Sequence, residues 1–256
     1  MSNRLENTFK EKKDILNVYL TAGYPSLNDT VEVVQQLASN GVDMVEIGMP
    51  FSDPLADGPT IQHSSEVAIK NGITLALIFE QVAEIRKTVQ IPIILMGYYN
   101  QLLQYGVEQF VRKATEVGVD GLIIPDLPLD IYQQEYKALF EQHDLKMSFL
   151  ITPQTTDERV LEIAKESNAF LYVVSSYAIT GGKSEIEEYQ TNYFKKIKDL
   201  DIKTPKLIGF GISNAETFSK ACEYAEGAII GSAFIKAIRS GTDLKTSINQ
   251  FIISIK

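Results

Sequence analysis

Val42-Asp43-Met44-Val45-Glu46-Ile47-Gly48, followed at once by Met49-Pro50-Phe51-Ser52-Asp53-Pro54-Leu55-Ala56-Asp57-Gly58-Pro59-Thr60, is the stretch on which the fold turns. A short apolar, β-branched run ends in a carboxylate and opens into a proline-rich loop, the form of a buried parallel strand delivering a side chain to a functional edge. Seven further runs of this kind recur: Ile15 to Leu20, Ile91 to Leu95, Val119 to Ile124, Lys146 to Ile151, Ala169 to Val174, Lys206 to Ile208 and Gly227 to Ile230. Segments of helical spacing separate them, for example Val31-Val34-Leu37-Ala38 with Ser26 or Asn28 before and Gly41 after, and Phe218-Cys222 behind Ser213 or Asn214. Turns such as Gly41-Val42-Asp43 and Gly118-Val119-Asp120 repeat just before strands and suggest a repeated βα unit.

Eight βα units in 256 residues predict an α/β fold of the (β/α)8 TIM barrel type, a single domain over residues 1–256. No Gly-x-Gly-x-x-Gly follows the first run, which speaks against a dinucleotide-binding open sheet. Residues before Ile15, Leu5 and Phe9 among them, predict an extra N-terminal helix capping the barrel floor. Two long connections, Gly48 to Gln90 and Ser175 to Pro205, are where function is expected.

The balance of 24 basic against 33 acidic residues, a net charge of −9, excludes a basic nucleic-acid footprint and disfavours anionic membranes. The lone Cys222 offers no internal disulfide, no apolar run is long enough to span a bilayer, and the start Met1-Ser2-Asn3-Arg4-Leu5-Glu6 has no apolar signal stretch. A cytoplasmic location is expected.

Strand ends in a barrel are where chemistry gathers, so Glu46 has two readings: a proton-exchanging group, or a structural carboxylate bonded to a neighbouring strand or loop amides. Asp57 is the second acid of interest, whereas Asp53 reads as a turn cap. Glycines follow the last strands in Gly209-Phe210-Gly211-Ile212-Ser213 and Gly231-Ser232-Ala233, with Thr180-Gly181-Gly182 in a third loop, and together offer backbone donors to an anion. Tyr19, Tyr98 and Tyr172 fall at or just beyond strand ends and either fill the upper barrel layer or wall a flat ligand. His63 and His143 read as surface or capping residues, and Cys222 as near-core. No His/Cys/Asp cluster has metal-ligand spacing.

These segments carry a resemblance. Val45 through Gln62, with Tyr19-Leu20-Thr21-Ala22-Gly23-Tyr24-Pro25, Met96-Gly97-Tyr98-Tyr99-Asn100, Pro125-Asp126-Leu127-Pro128 and the two late glycine loops, resembles the tryptophan synthase alpha subunit over nearly the full length. The resemblance implies retro-aldol cleavage of indole-3-glycerol phosphate to indole and glyceraldehyde 3-phosphate, without metal or organic cofactor. It implies that Glu46 and Asp57 are catalytic, that Gly181, Gly211, Gly231 and Ser232 hold the phosphate with Phe210 shaping the pocket, and that Tyr19, Tyr98 and Tyr172 border the indole. Thr180 would bond Asp57 when the long sixth loop closes. The partner implied is a beta subunit in an αββα assembly. One departure stands out: Ser175-Ser176-Tyr177-Ala178-Ile179-Thr180-Gly181 has alanine where the family has a glycine, and alanine resists positive φ. A partner-free lyase, a regulatory subunit and another phosphosugar barrel enzyme are the competing readings.

Overall fold

The computed structural model describes residues 3–55, 57–175, 188–209, 211–240 and 243–256. Its strands are β1 (Ile15–Thr21), β2 (Met44–Gly48), β3 (Ile93–Met96), β4 (Gly121–Ile123), β5 (Lys146–Ser148), β6 (Leu150–Ile151), β7 (Leu171–Val174), β8 (Lys206–Gly209) and β9 (Gly227–Ile230). They pair in the order β5-β4-β3-β2-β1-β9-β8-β7-β6, and every pair is parallel. The two ends of that order, β5 and β6, are parted by Phe149 alone, so the sheet closes on itself as a helix-wrapped barrel.

The run expected as one fifth strand is thus two. Phe149 leaves the ladder because its N–H donates to Ser167 Oγ at 3.3 Å while its ring packs edge-on against Tyr132, centroids 5.1 Å apart. Its carbonyl still accepts from Tyr172 N at 2.9 Å, and Met147 O accepts from Ala169 N at 3.2 Å, which carries the closure past the break. Four strand starts also move. The runs expected from Val42, Ile91, Val119 and Ala169 begin pairing at Met44, Ile93, Gly121 and Leu171. In two of them the reason is visible: Val42 N donates to Leu37 O and Val119 N to Ala114 O, so these apolar residues close the preceding helices.

Strand alternation sorts side chains into two apolar bodies. Leu16, Val18, Leu20, Val45 and Ile47 face the surrounding helices. Ile15, Met44, Ile94, Ile123, Phe170, Tyr172, Leu207 and Ile229 fill the barrel with Leu5. Leu5 belongs to the helix Arg4–Glu11, capped by Asn3 accepting from Leu5 N, and is buried within the barrel floor, where the extra N-terminal helix was expected.

The recurring Gly-Val-Asp turns have a structural task. Asp43 exchanges bonds with the start of β1, its N–H donating to Leu16 O and its Oδ2 accepting from Leu16 N at 2.9 Å. Asp120 does the same with Ile93 and Glu226 with Lys206, while Asn168 Oδ1 accepts from Met147 N at 2.6 Å. Three alternate junctions around the barrel floor therefore share one clamp, and the fourth uses a variant in which Ala169 N, one residue on, makes the return bond to Met147 O.

Candidate active site

The same alternation that seals the core decides where the acids go. Tyr19 of β1 pairs in register with Glu46 of β2, and both point into the barrel with Asn17, two residues earlier on β1. Glu46 is fully buried. Its Oε1 accepts from Asn17 Nδ2 at 2.6 Å, and its Oε2 has no partner among the described residues. Burial disfavours the charged carboxylate and pushes the Glu46 carboxyl up to about 8, against which the Asn17 bond acts in the lowering direction.

Asp57 arrives from the loop after β2. Gly58 caps the next helix, Pro59–Lys70, with Pro59 at its first turn, where a missing N–H does no harm. The loop is tied at both ends: Gln101 Nε2 donates to Pro50 O at 3.0 Å, and Gln62 Nε2 to Asp57 O at 2.9 Å. Tyr98, the cap of the helix Tyr99–Tyr105, donates through its hydroxyl to Asp57 Oδ2 at 3.1 Å and stacks on Phe51 with centroids 4.9 Å apart. Burial raises the Asp57 carboxyl to about 6, and the Tyr98 hydroxyl opposes that rise. Two acids in one site are thereby held apart in proton affinity.

Tyr19, half-buried, and Tyr172, buried, complete the cluster, with hydroxyls raised by burial first and by the nearby acids after it. Their rings need glycine next door. A Cβ on Gly48 would lie 2.0 Å from the Tyr19 hydroxyl, and one on Gly209 would lie 2.4 Å from that of Tyr172. A cavity of about 50 Å³ opens among Tyr19, Met49, Asp57, Met96, Tyr98 and Pro125 at the carboxyl ends of the strands. A wider open cleft of about 820 Å³ lies at the opposite floor, but its Arg4 and Lys12 are already paired with Asp120 and Asp43, and barrel chemistry sits at the other end.

Of the expected phosphate ligands, Gly211 stands at φ +78° with its Cα side towards Ser175 Oγ, and Gly231 lies beside Tyr19. Ser232 begins the helix Ser232–Ser240, and Gly231 O accepts from Ile235 N, so the N–H groups of that first turn are free of helical partners. Thr180, Gly181, Phe210 and the Ala178 segment lie outside the described residues. His63 and Asp53 are exposed, Asp53 accepting from Ser52 Oγ, and burial pushes the Cys222 thiol up to about 12. Among the described residues no group of three or more His, Cys, Asp or Glu side chains could hold a metal ion, and no helix is long and apolar enough to cross a membrane.

Asn17 escaped the reading of the sequence, as did the spacing glycines Gly48 and Gly209. The signal for Asn17 was present: it is the polar residue in an apolar strand, two positions before Tyr19 and hence on the same face.

Comparison with known proteins places the geometry. The sequence model of the tryptophan synthase alpha chain matches residues 5–255. The chain is 56% identical over 253 residues to the tryptophan synthase alpha chain of Flavobacterium psychrophilum, covering 99% of both, and 54% identical over 254 residues to that of Flavobacterium johnsoniae, covering 99% of this chain and 100% of that one. The crystal structure of tryptophan synthase subunit alpha from Legionella pneumophila superposes with a TM-score of 0.89 at 32% identity, covering 100% of this chain and 97% of that one. A full-length family match, high identity to its members and the same barrel together mean that this chain belongs to the tryptophan synthase alpha chain family.

Proposed function

We propose that Glu46 and Asp57 divide the work of cleaving indole-3-glycerol phosphate between them within a single catalytic domain spanning residues 1–256. The observation that carries this reading is the difference in surroundings: Glu46 is fully buried with Oε2 unpartnered among the described residues, which favours its protonated form up to about pH 8, while Asp57 receives the Tyr98 hydroxyl and is held lower, at about 6. At neutral pH one acid is charged and the other is not.

The reaction needs that division. Breaking the bond between indole C3 and the side chain requires an electron sink, which forms when C3 takes up a proton and the ring becomes an indoleninium cation. Glu46, protonated and with Oε2 unbonded, gives that proton. Asp57, ionised, accepts a hydrogen bond from the ring N–H and stabilises the positive charge as it grows. The Glu46 carboxylate left behind then removes the proton from the side-chain hydroxyl next to C3. That O–H pair becomes the aldehyde C=O, the C–C bonding electrons return to the ring, and indole and glyceraldehyde 3-phosphate separate. Glu46 ends as it began.

Tyr19, Tyr98 and Tyr172 border the indole ring in this reading, and the backbone N–H groups at Gly211, Gly231 and Ser232 receive the phosphate, with Gly181 and Phe210 contributing and Thr180 meeting Asp57. No step calls for a metal or an organic cofactor. The family pairs with a beta subunit, to which indole passes in tryptophan biosynthesis, and the chain works in an αββα assembly in the cytoplasm.

The test is an indole-release assay with indole-3-glycerol phosphate, run on the chain alone and with a beta subunit. Glu46→Gln and Asp57→Asn are each expected to lower turnover by at least roughly a hundredfold. Near-normal turnover in either variant removes that residue from the mechanism.

A further inference from the structure

We propose that Asn17 is a positioning residue for Glu46: its side-chain amide fixes which carboxyl oxygen faces the substrate and holds the group in reach of both protonation states. This rests on the assignment of Glu46 as the proton-exchanging acid.

Register sets the contact. Tyr19, not Asn17, is the strand neighbour level with Glu46, while Asn17 is level with Met44. Asn17 therefore reaches Glu46 diagonally from the layer nearer the barrel floor. Its Nδ2 engages Oε1 at 2.6 Å, and Oε2 is left as the unpartnered oxygen. The diagonal bond thus distinguishes two oxygens that are chemically equal.

The surroundings make this amide decisive. Among the described residues, the titratable groups gathered around Glu46 are Tyr19 on the neighbouring strand and Tyr172 across the barrel on β7, with Asp57 from the loop on their far side and Tyr98 beyond it. Each is neutral or negative, so none of them favours the carboxylate through charge. Ile94, level with Glu46 on β3, is apolar. The Asn17 bond is accordingly the group that acts to lower the Glu46 carboxyl's proton affinity, against the burial that raises it.

An amide also suits a group that changes protonation state during turnover. Through Nδ2 it donates to the carboxylate. Turned over, it accepts through Oδ1 from the protonated carboxyl. Asn17 Oδ1 is itself buried without a partner among the described residues, so an acceptor stands ready beside the group that carries the proton. An apolar residue here offers neither contact, and an aspartate offers a second negative charge.

The test uses Asn17→Leu, close in shape but without the bond, and Asn17→Asp, which keeps the shape and adds a charge. Glu46 is titrated directly by following the infrared carboxyl band that Glu46→Gln removes, alongside the pH profile of indole release by the full chain. In Asn17→Leu the band's midpoint and the alkaline limb of kcat/KM should both rise by about one pH unit, with kcat down roughly tenfold and KM nearly unchanged. Asn17→Asp should raise both further, since like charges oppose ionisation. A midpoint unmoved in either folded variant overturns the role of Asn17 while leaving Glu46 in place. A midpoint that moves while the rate profile stays fixed overturns the assignment of Glu46, and this proposal with it. Should Asn17→Leu fail to fold, Asn17→Val, which also lacks the bond and adds no charge, decides in its place, because the loss of a purely structural amide predicts no movement in either readout.

Discussion

A carboxyl closed inside a barrel with no cation beside it among the described residues keeps its proton well past the pH at which an exposed one loses it, and Glu46 is such a group while Asp57, with a tyrosine hydroxyl to lean on, is less so. Activity should follow the overlap of protonated Glu46 and ionised Asp57. The pH profile of kcat/KM for indole release is therefore expected to be bell-shaped, with limbs near the about 6 of Asp57 and the about 8 of Glu46. A flat profile between pH 5 and 9 would count against the division of roles. The same burial has a consequence for stability. The Glu46 proton is bound more tightly in the folded chain than in the unfolded one, so its stabilising contribution is complete below the ordinary glutamate pKa and drains away as pH rises to about 8. Glu46→Gln has nothing to ionise, and its stability relative to the parent should climb from pH 5 to pH 8 by an amount on the order of a few kcal/mol. Denaturant titrations of both proteins at several pH values measure this, and a constant difference would show that Glu46 is not held protonated. At this scale the sequence displayed Glu46 and Asp57 plainly because charge in an apolar context is conspicuous. It hid the reason for Gly48 and Gly209, since a missing side chain reveals its purpose only when the tyrosine that fills the space is seen.

Strand order and helix placement were legible because each βα unit writes its own hydrophobic period. Strand starts were less so, for a physical reason: Val42 and Val119 are as apolar as any strand residue yet spend their N–H groups closing the helix before them. The break at Phe149 was equally invisible, since it arises from a serine 18 positions along the chain, Ser167, and from the ring of Tyr132. What the sequence did mark was the Gly-Val-Asp turn repeated at Asp43 and Asp120, and the floor clamps explain it. Their strengths should differ with burial. Asp120 is nearly inaccessible and bonds Arg86 at 2.5 Å and Arg4 at 2.9 Å as well as Ile93 N. Burial holds the Arg86 guanidinium down at about 10, with Asp120 as its main compensation. Asp120→Ala strands that buried cation and is expected to destabilise by about 3–5 kcal/mol. Glu226→Ala removes a clamp whose side chain is 43% exposed, and water replaces most of what is lost, so a change below about 1 kcal/mol is expected. Chemical denaturation orders the two, and equal losses would mean that the clamps act by shape and not by charge burial.

Over the whole molecule the two ends of the chain meet beneath the barrel, opposite the acids. Lys12, at the end of the N-terminal helix, and Lys256, the last residue, both pair with Asp43, at 2.7 Å and 3.3 Å. The helix Arg4–Glu11 reaches further, through Arg4 to Asp120 and through Glu6 to Lys146 at 3.0 Å, so one short segment ties the starts of β2, β4 and β5. Exposed ion pairs alone hold such a helix weakly. Leu5 holds it firmly: it is 1% exposed, joins Ile15, Met44, Ile94 and Phe170, and its Cδ1 would lie 3.2 Å from a Cβ on Gly121, so the glycine makes room for it. Truncating Leu5 to alanine leaves a void in a barrel whose strands cannot all move inward to fill it, and a loss of about 2–5 kcal/mol is expected. Because the floor of a barrel serves stability and its carboxyl end serves chemistry, kcat for indole release by the folded Leu5→Ala chain should stay at the parent value. Denaturation midpoints and steady-state turnover on one preparation check both halves. A variant as stable as the parent would show the helix to be an ornament of the floor, whereas a stable variant with impaired turnover would show that the floor reaches the acids through the stacked interior layers that connect Leu5 to Tyr172.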